Sequence, residues 1–203
     1  MAEVVLASHN PGKLTELREL LDGLPWQLRS AADFGLGAPE EGAATFVENA
    51  LAKARYAALA TGLPALADDS GLVVDALGGA PGVRSARYAG ADADDAANIA
   101  CLLHEAEGLE GAARSCHFVC VIVLLRSAHD PMPLIAQGIW HGRLLRLPRG
   151  KGGFGYDPVF LDASRGRSAA ELTTQQKHAI SHRGQALAQL RAQLSVRGVF
   201  SGL

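Results

Sequence analysis

The amino-acid sequence predicts an α/β fold, and three observations carry that prediction. Short continuous apolar runs, Val4–Ala7 and Cys116–Leu125, have the character of strands covered on both faces. Between such runs lie segments whose apolar residues recur at helical spacing, as at Leu14, Leu17, Leu20 and Leu21. The joints between the two kinds of segment are rich in Gly, Asn and Pro, which mark turns. At 203 residues the chain is long enough to bury a core and reads as one unit over 1–203.

Composition narrows the function classes. Hydrophobic residues make up 48% and charged residues 20%, the balance of a globular enzyme, and no window is apolar enough for a membrane span. A formal charge of −2 argues against a general nucleic-acid binder, so any phosphate-binding charge must be local. The N-terminal MAEVVLASHN lacks the basic region and long apolar run of a signal peptide, which gives a cytoplasmic expectation. Three cysteines, Cys101, Cys116 and Cys120, have no CxxC spacing and are expected to be buried, reduced thiols.

Taken in order, the first strand runs directly into Ser8-His9-Asn10-Pro11-Gly12-Lys13 and then a helix. Backbone N–H groups at such a helix start bind anions, and a lysine strengthens the site; taken alone, this piece is read more readily as an ordinary turn. A second strand is expected around Trp26–Arg29. Thr45 followed by Glu48 is a capping-box pattern opening a helix from Phe46 to about Thr61, which Gly62 and Pro64 end. Lys53 shares the largely apolar face of that helix with Phe46, Ala50, Ala54 and Ala57, and snorkelling to the surface would account for it.

The stretch 66–90, LADDSGLVVDALGGAPGVRSARYAG, is the most informative. Asp68 and Asp69 end an apolar run before Ser70 and Gly71, which places them at the rim of a sheet, and a glycine-rich loop and two arginines follow. Adjacent carboxylates beside a phosphate site suit Mg²⁺, which takes one or two carboxylates plus substrate phosphate oxygens. A surface hairpin with a solvated acidic turn is the competing reading. A helix over Ala91–Gly108 follows, with Asp92, Asp94 and Asp95 in its first turn and Ile99, Leu102, Leu103 and Ala106 as its buried stripe. Strands are expected at Leu134–Trp140 and Arg143–Leu147, with a turn at Gly142 between them.

KGGFGYDPVF at 151–160 sets Phe154 among glycines, then Gly155, Tyr156 and Asp157. A flat aromatic beside bare backbone suits stacking on a planar base, and Asp157 could accept from a base edge; packing alone also explains such a ring. Near the end, Ser181 has the character of an N-cap, which puts His182 and Arg183 in a first helical turn, where cations oppose the helix dipole.

Together, S-x-N-x-G-K at 8–13, the acids Glu40 and Glu41, TFVENALAKA at 45–54, ADDSGLVVDALGGAPGVRSARYAG, GGFGYDP and KHAISHRG resemble the inosine triphosphate pyrophosphatase family, specifically bacterial dITP/XTP pyrophosphatases. The resemblance covers almost the whole chain in order. It implies an elongated mixed β-sheet with flanking helices in two lobes and a central substrate cleft. It also implies a homodimer that hydrolyses ITP, dITP and XTP to the monophosphate and pyrophosphate with Mg²⁺, alongside the expectation from charge, hydropathy and N-terminus of a cytoplasmic protein that binds neither nucleic acid nor membrane. By the same resemblance Asp69 is the proton acceptor, and Asp69, Asp68 and Glu40 or Glu41 hold the metal. Ser8, His9, Asn10, Pro11, Gly12, Lys13, Lys53 and Ser70 touch the substrate. Phe154, Gly155, Tyr156, Asp157, Lys177, His182 and Arg183 bind the nucleoside. The chain departs from the family pattern after Glu41, where Gly42-Ala43 stands for Thr-Gly, and at Gln175-Gln176, where acids are usual.

Overall fold

A computed structural model describes residues 2–39 and 42–197. It contains a seven-stranded sheet flanked by helices. In chain order the main elements are β1 (Ala2–Leu6), α1 (Pro11–Leu21), β2 (Trp26–Ser30), α2 (Phe46–Thr61), β3 (Ala65–Val74), α3 (Asp95–Glu105), β4 (Ser115–Leu125), β5 (Leu134–Leu144), β6 (Phe160–Asp162), β7 (Arg167–Ser168), α4 (Thr174–Ile180) and α5 (His182–Arg197). The strand order is β2-β1-β3-β4-β5-β6-β7. β1 runs parallel to both β2 and β3, whereas β6 is antiparallel to β5 and β7, so the sheet is mixed.

The chain divides into two compact units, and β3, β4 and β5 each pass from one into the other. The first takes the described residues up to Asp69, then Cys120–Gly138 and the chain from Arg183. Its core is built from Val4, Leu6, Leu66, Ile122 and Leu124 on strands, closed by Leu17 and Leu21 of α1 and Leu187 and Leu190 of α5. The second takes Ser70–Val119 and Ile139–His182. Leu72, Val74, Phe118, Trp140 and Leu144 of its strands pack with Leu102 and Ala106 of α3 and with Tyr156 and Phe160.

Several expectations are met closely, and the misses have identifiable causes. α2 has the expected bounds: the Thr45 side chain accepts from the Glu48 N–H, and Gly62 closes the helix in the left-handed region at φ 70°. α3 starts later than Ala91 because Asp94 is the cap, its side chain accepting from the Ala97 N–H at 2.8 Å. The two strands expected on either side of Gly142 are one strand, β5. Gly142 is there for close approach and not for a turn: a Cβ at that position would overlap the Phe160 ring and lie 2.6 Å from the Leu161 carbonyl. Cys116 and Cys120 are buried with their thiols pushed up to about 12 by that burial, while Cys101 is only half-buried. Among the described residues no helix is long and apolar enough to cross a membrane.

Candidate active site

In the first unit the site begins where β1 stops. β1 pairs with β3 only as far as Leu6 opposite Leu66, so Asp68 and Asp69 lie just past the carboxyl end of β1. The rim expected from the sequence is therefore made by the neighbouring strand, because β3 itself continues unbroken through Ser70 and Gly71 to Val74. Both acids are buried, at 1% and 4% exposure, and not solvated.

Burial of two adjacent carboxylates demands charged partners. Lys13 supplies one. Asn10 caps α1, its side chain accepting from the Lys13 N–H at 3.0 Å, and Pro11 occupies the first turn, where a missing N–H costs nothing. That cap places Lys13 Nζ 3.2 Å from Asp68 Oδ2. The rest of the loop is tied locally: Ser8 Oγ accepts from the Asn10 N–H, and the ring of His9 meets the Leu36 carbonyl at 2.8 Å.

Lys53 supplies the second cation. It does not snorkel; at 9% exposure its ammonium donates to Asp69 Oδ1 at 2.8 Å and to the Asp68 carbonyl at 3.4 Å. Arg183, at 1% exposure on the first turn of α5, is the third, with Nη2 3.3 Å from Asp68 Oδ2 and Nη1 on Glu16 of α1. The dipole-opposed position noticed in the sequence is thus compensated by two carboxylates. Burial alone would push the Asp68 carboxyl up, but Lys13, Arg183 and Lys53 outweigh it and hold Asp68 well below the usual carboxylate range.

In the second unit, the Phe154 loop is fastened from several sides. Asp157, almost wholly buried, accepts the Phe154 N–H at 3.0 Å and the Lys177 ammonium at 2.7 Å on the same Oδ2. Lys177 also lies over the Phe154 ring, 4.9 Å from its centroid. The Gly155 N–H donates to Asp95 at the start of α3, and the buried Tyr156 hydroxyl donates to the Ser85 carbonyl. Gly153 sits at φ 73°, and a Cβ on it would overlap the Asp157 carboxylate. Phe154 itself is half-buried. The His182 ring stacks on Phe118 of β4, with centroids 4.7 Å apart.

The predicted residues therefore fall into two groups. Ser8, His9, Asn10, Pro11, Gly12, Lys13, Lys53, Asp68, Asp69 and Arg183 belong to the first unit; Ser70, Phe154, Gly155, Tyr156, Asp157, Lys177 and His182 belong to the second. Glu40 and Glu41 lie outside the described residues. The sequence reading missed two residues of the first group. Glu16 signals itself only as an acid three residues after Lys13 on one helix face, and Asn49 only as a polar residue on an alanine face. Asn49 donates to Asp69 Oδ2 at 3.2 Å.

The donor set fits a hard divalent cation. Asp68 and Asp69 offer adjacent oxygen ligands, Asp68 is held ionised, and Mg²⁺ needs few protein ligands when phosphate oxygens and waters complete its shell. Among the described residues no group of three or more His, Cys, Asp or Glu is arranged to hold a metal by itself.

A mixed-sheet α/β chain with a capped helix start, two buried carboxylates and lysines set against them has groups suited to phosphate and a divalent cation, and its relatives place it among the nucleoside triphosphate pyrophosphatases. Residues 4–193 match the model of the Ham1 family, and the chain belongs to that family. A dITP/XTP pyrophosphatase of Shigella flexneri is 54% identical over 187 residues, covering 92% of this chain and 95% of the relative. One from Xanthomonas campestris pv. campestris is 55% identical over 194 residues, 96% of this chain and 98% of the relative. The solved structure of a HAM1 protein from Coxiella burnetii superposes with a TM-score of 0.89 at 53% identity, over 97% of this chain and all of that one. The Staphylococcus aureus Ham1 protein gives 0.85 at 36% identity, over 96% and 99%.

Proposed function

We propose that this chain hydrolyses non-canonical purine nucleoside triphosphates, ITP, dITP and XTP, to the monophosphate and pyrophosphate with Mg²⁺, removing deaminated purines from the nucleotide pool. The observation that carries the reading is the buried Asp68–Asp69 pair met by Lys13 at a helix start and by Lys53. The names of the Shigella and Xanthomonas relatives support the same substrate class.

In this reading Asp69 accepts a proton on its carboxylate from the water that attacks the α-phosphorus. The α–β phosphoanhydride bond breaks, pyrophosphate leaves, and the nucleoside monophosphate keeps the new oxygen. Lys13, Lys53 and the N–H groups at the start of α1 stabilise charge on the phosphate oxygens, where donors fixed before the reaction count most. Asp69 and Asp68, with Glu40 or Glu41, would hold Mg²⁺, which would supply charge neutralisation on the phosphates. Ser8, His9, Asn10, Pro11, Gly12 and Ser70 complete the substrate contacts.

Phe154 stacks on the base, with Gly155, Tyr156, Asp157, Lys177, His182 and Arg183 as the other nucleoside-binding positions. Arg183 can only donate, which favours the 6-oxygen of hypoxanthine and xanthine over the 6-amine of adenine, and reading the base requires its guanidinium to exchange Glu16 or Asp68 for that oxygen. We also propose a homodimer working in the cytoplasm, where the nucleotide pool lies. Product analysis tests the chemistry: IMP and pyrophosphate from ITP are expected, and IDP with inorganic phosphate would overturn it.

A further inference from the structure

Asn49 is an unexpected residue where it stands. It occupies the first turns of α2 on the face shared by Ala50, Ala54 and Ala57, buried at 2% exposure, in a position where alanine would suit the helix better. A buried amide costs free energy unless both its ends are bonded. Here they are: Nδ2 donates to Asp69 Oδ2 and Oδ1 accepts the Ala43 N–H, each at 3.2 Å.

Asn49 and Lys53 are four residues apart, so they stand one turn above the other on one helix face. Lys53 donates to Asp69 Oδ1 and Asn49 to Asp69 Oδ2. The terminal torsion of an aspartate is broad and poorly fixed by its own rotamer preference. Two donors on successive turns of a rigid helix, one to each oxygen, remove that freedom. Ala43, held by the other end of the same amide, follows Glu41 by two residues, so one side chain fastens the acid of β3 to the segment leading from Glu40 and Glu41.

We infer that Asn49 is a positioning residue for Asp69: with Lys53 it sets the plane of the carboxylate in the geometry needed for proton transfer, without itself touching substrate. This rests on the reading of Asp69 as proton acceptor. Misplacing a reacting group by about 1 Å can cost about 100-fold in rate.

The test compares Asn49→Leu, Asn49→Gln, Asp69→Asn and the Asn49→Leu/Asp69→Asn double variant. The measurements are kcat and KM for ITP, affinity for the α,β-imido analogue of ITP, and the melting midpoint. Asn49→Leu, with the same branching and heavy-atom count but without the amide, is expected to lower kcat about 10- to 100-fold. Analogue affinity measured without Mg²⁺ should stay within about threefold, because metal-free binding does not run through this contact. Asn49→Gln, which keeps the amide, should recover part of kcat, and in the Asp69→Asn background Asn49→Leu should change the residual rate less than about twofold. Should the Leu variant not fold, Asn49→Ser, polar but too short to span to Asp69, carries the same comparison. A lowered melting midpoint with kcat within about twofold of wild type would overturn the inference, leaving Asn49 merely structural. Retained activity in Asp69→Asn would instead overturn the reading of Asp69 itself, so the two failures are distinguishable.

Discussion

Lys53 Nζ stands 2.8 Å from Asp69 Oδ1, and both side chains are about nine-tenths buried. A lysine on an alanine-rich helix face and an acid inside a strand are each unfavourable alone; together they form a charge pair that the surrounding core holds in one geometry. Removing one partner of such a pair leaves the other charge buried, at a cost of about 3–5 kcal/mol. Lys53→Met should therefore lower the melting midpoint by roughly 6–20 °C for a chain of this size. A midpoint within about 2 °C of wild type would show that Asp69 does not depend on Lys53.

Asp69→Asn keeps the shape of the side chain and removes its capacity to take a proton. Turnover of ITP should fall about 100- to 10,000-fold, the range expected for loss of a general base. Affinity for the α,β-imido analogue measured without Mg²⁺ should change little, and circular dichroism below the melting midpoint, which the buried Lys53 left without its carboxylate lowers, should report the same fold. Near-normal turnover would remove Asp69 from its proposed role.

Phe154 offers a stacking face with no hydrogen-bonding preference, held by the Asp157 and Lys177 contacts. Phe154→Ala should weaken binding of ITP and XTP alike by about 1–3 kcal/mol, roughly 5- to 150-fold in KM, with kcat little affected. Gly153→Ala should act in the same direction, because its Cβ would displace the Asp157 carboxylate that accepts the Phe154 N–H. Steady-state kinetics on both substrates checks the pair; a loss confined to one base would mean that Phe154 reads base identity.

Acid stability is set partly by a group remote from the site. Asp130, in the turn between β4 and β5, accepts hydrogen bonds from the Arg126 guanidinium, the Arg126 N–H and the Met132 N–H. The guanidinium hydrogen bond, with the backbone donors, holds its carboxyl well below the usual carboxylate range despite burial. A folded-state pKa below the unfolded value contributes stability that is full above about pH 4–5 and is lost as pH falls further. Urea midpoints of wild type and Asp130→Asn should therefore differ at pH 7 and converge toward pH 3. Parallel curves over that range would exclude this linkage.

Much of this architecture was legible in local sequence. The apolar runs of β1 and β4, the Thr45 cap and Gly62 stop of α2, and the stripe of α3 each follow from residues within a few positions of one another. Gly142 misled because a glycine in a strand and a glycine in a turn look alike until the Phe160 ring packed against it is known. The same applies to the acids: a carboxylate pair after an apolar run is equally compatible with a solvated turn, and it is Lys13 and Arg183, 55 and 115 residues away in sequence, together with Lys53, that let Asp68 stay buried and charged. Asn49 lies within the TFVENALAKA motif, but its role depends on which face of α2 meets β3, and that is a tertiary fact.

Pyrophosphate release from ITP, XTP, GTP and ATP, measured side by side with and without Mg²⁺, decides both the chemistry and the base selection. Mg²⁺-dependent release from ITP and XTP is expected, with little from ATP, which carries a 6-amine in place of the 6-oxygen that Arg183 favours. Equal release from all four would contradict the base selection, and no release from any would contradict the assignment of the Asp68–Asp69 cluster to phosphoanhydride hydrolysis.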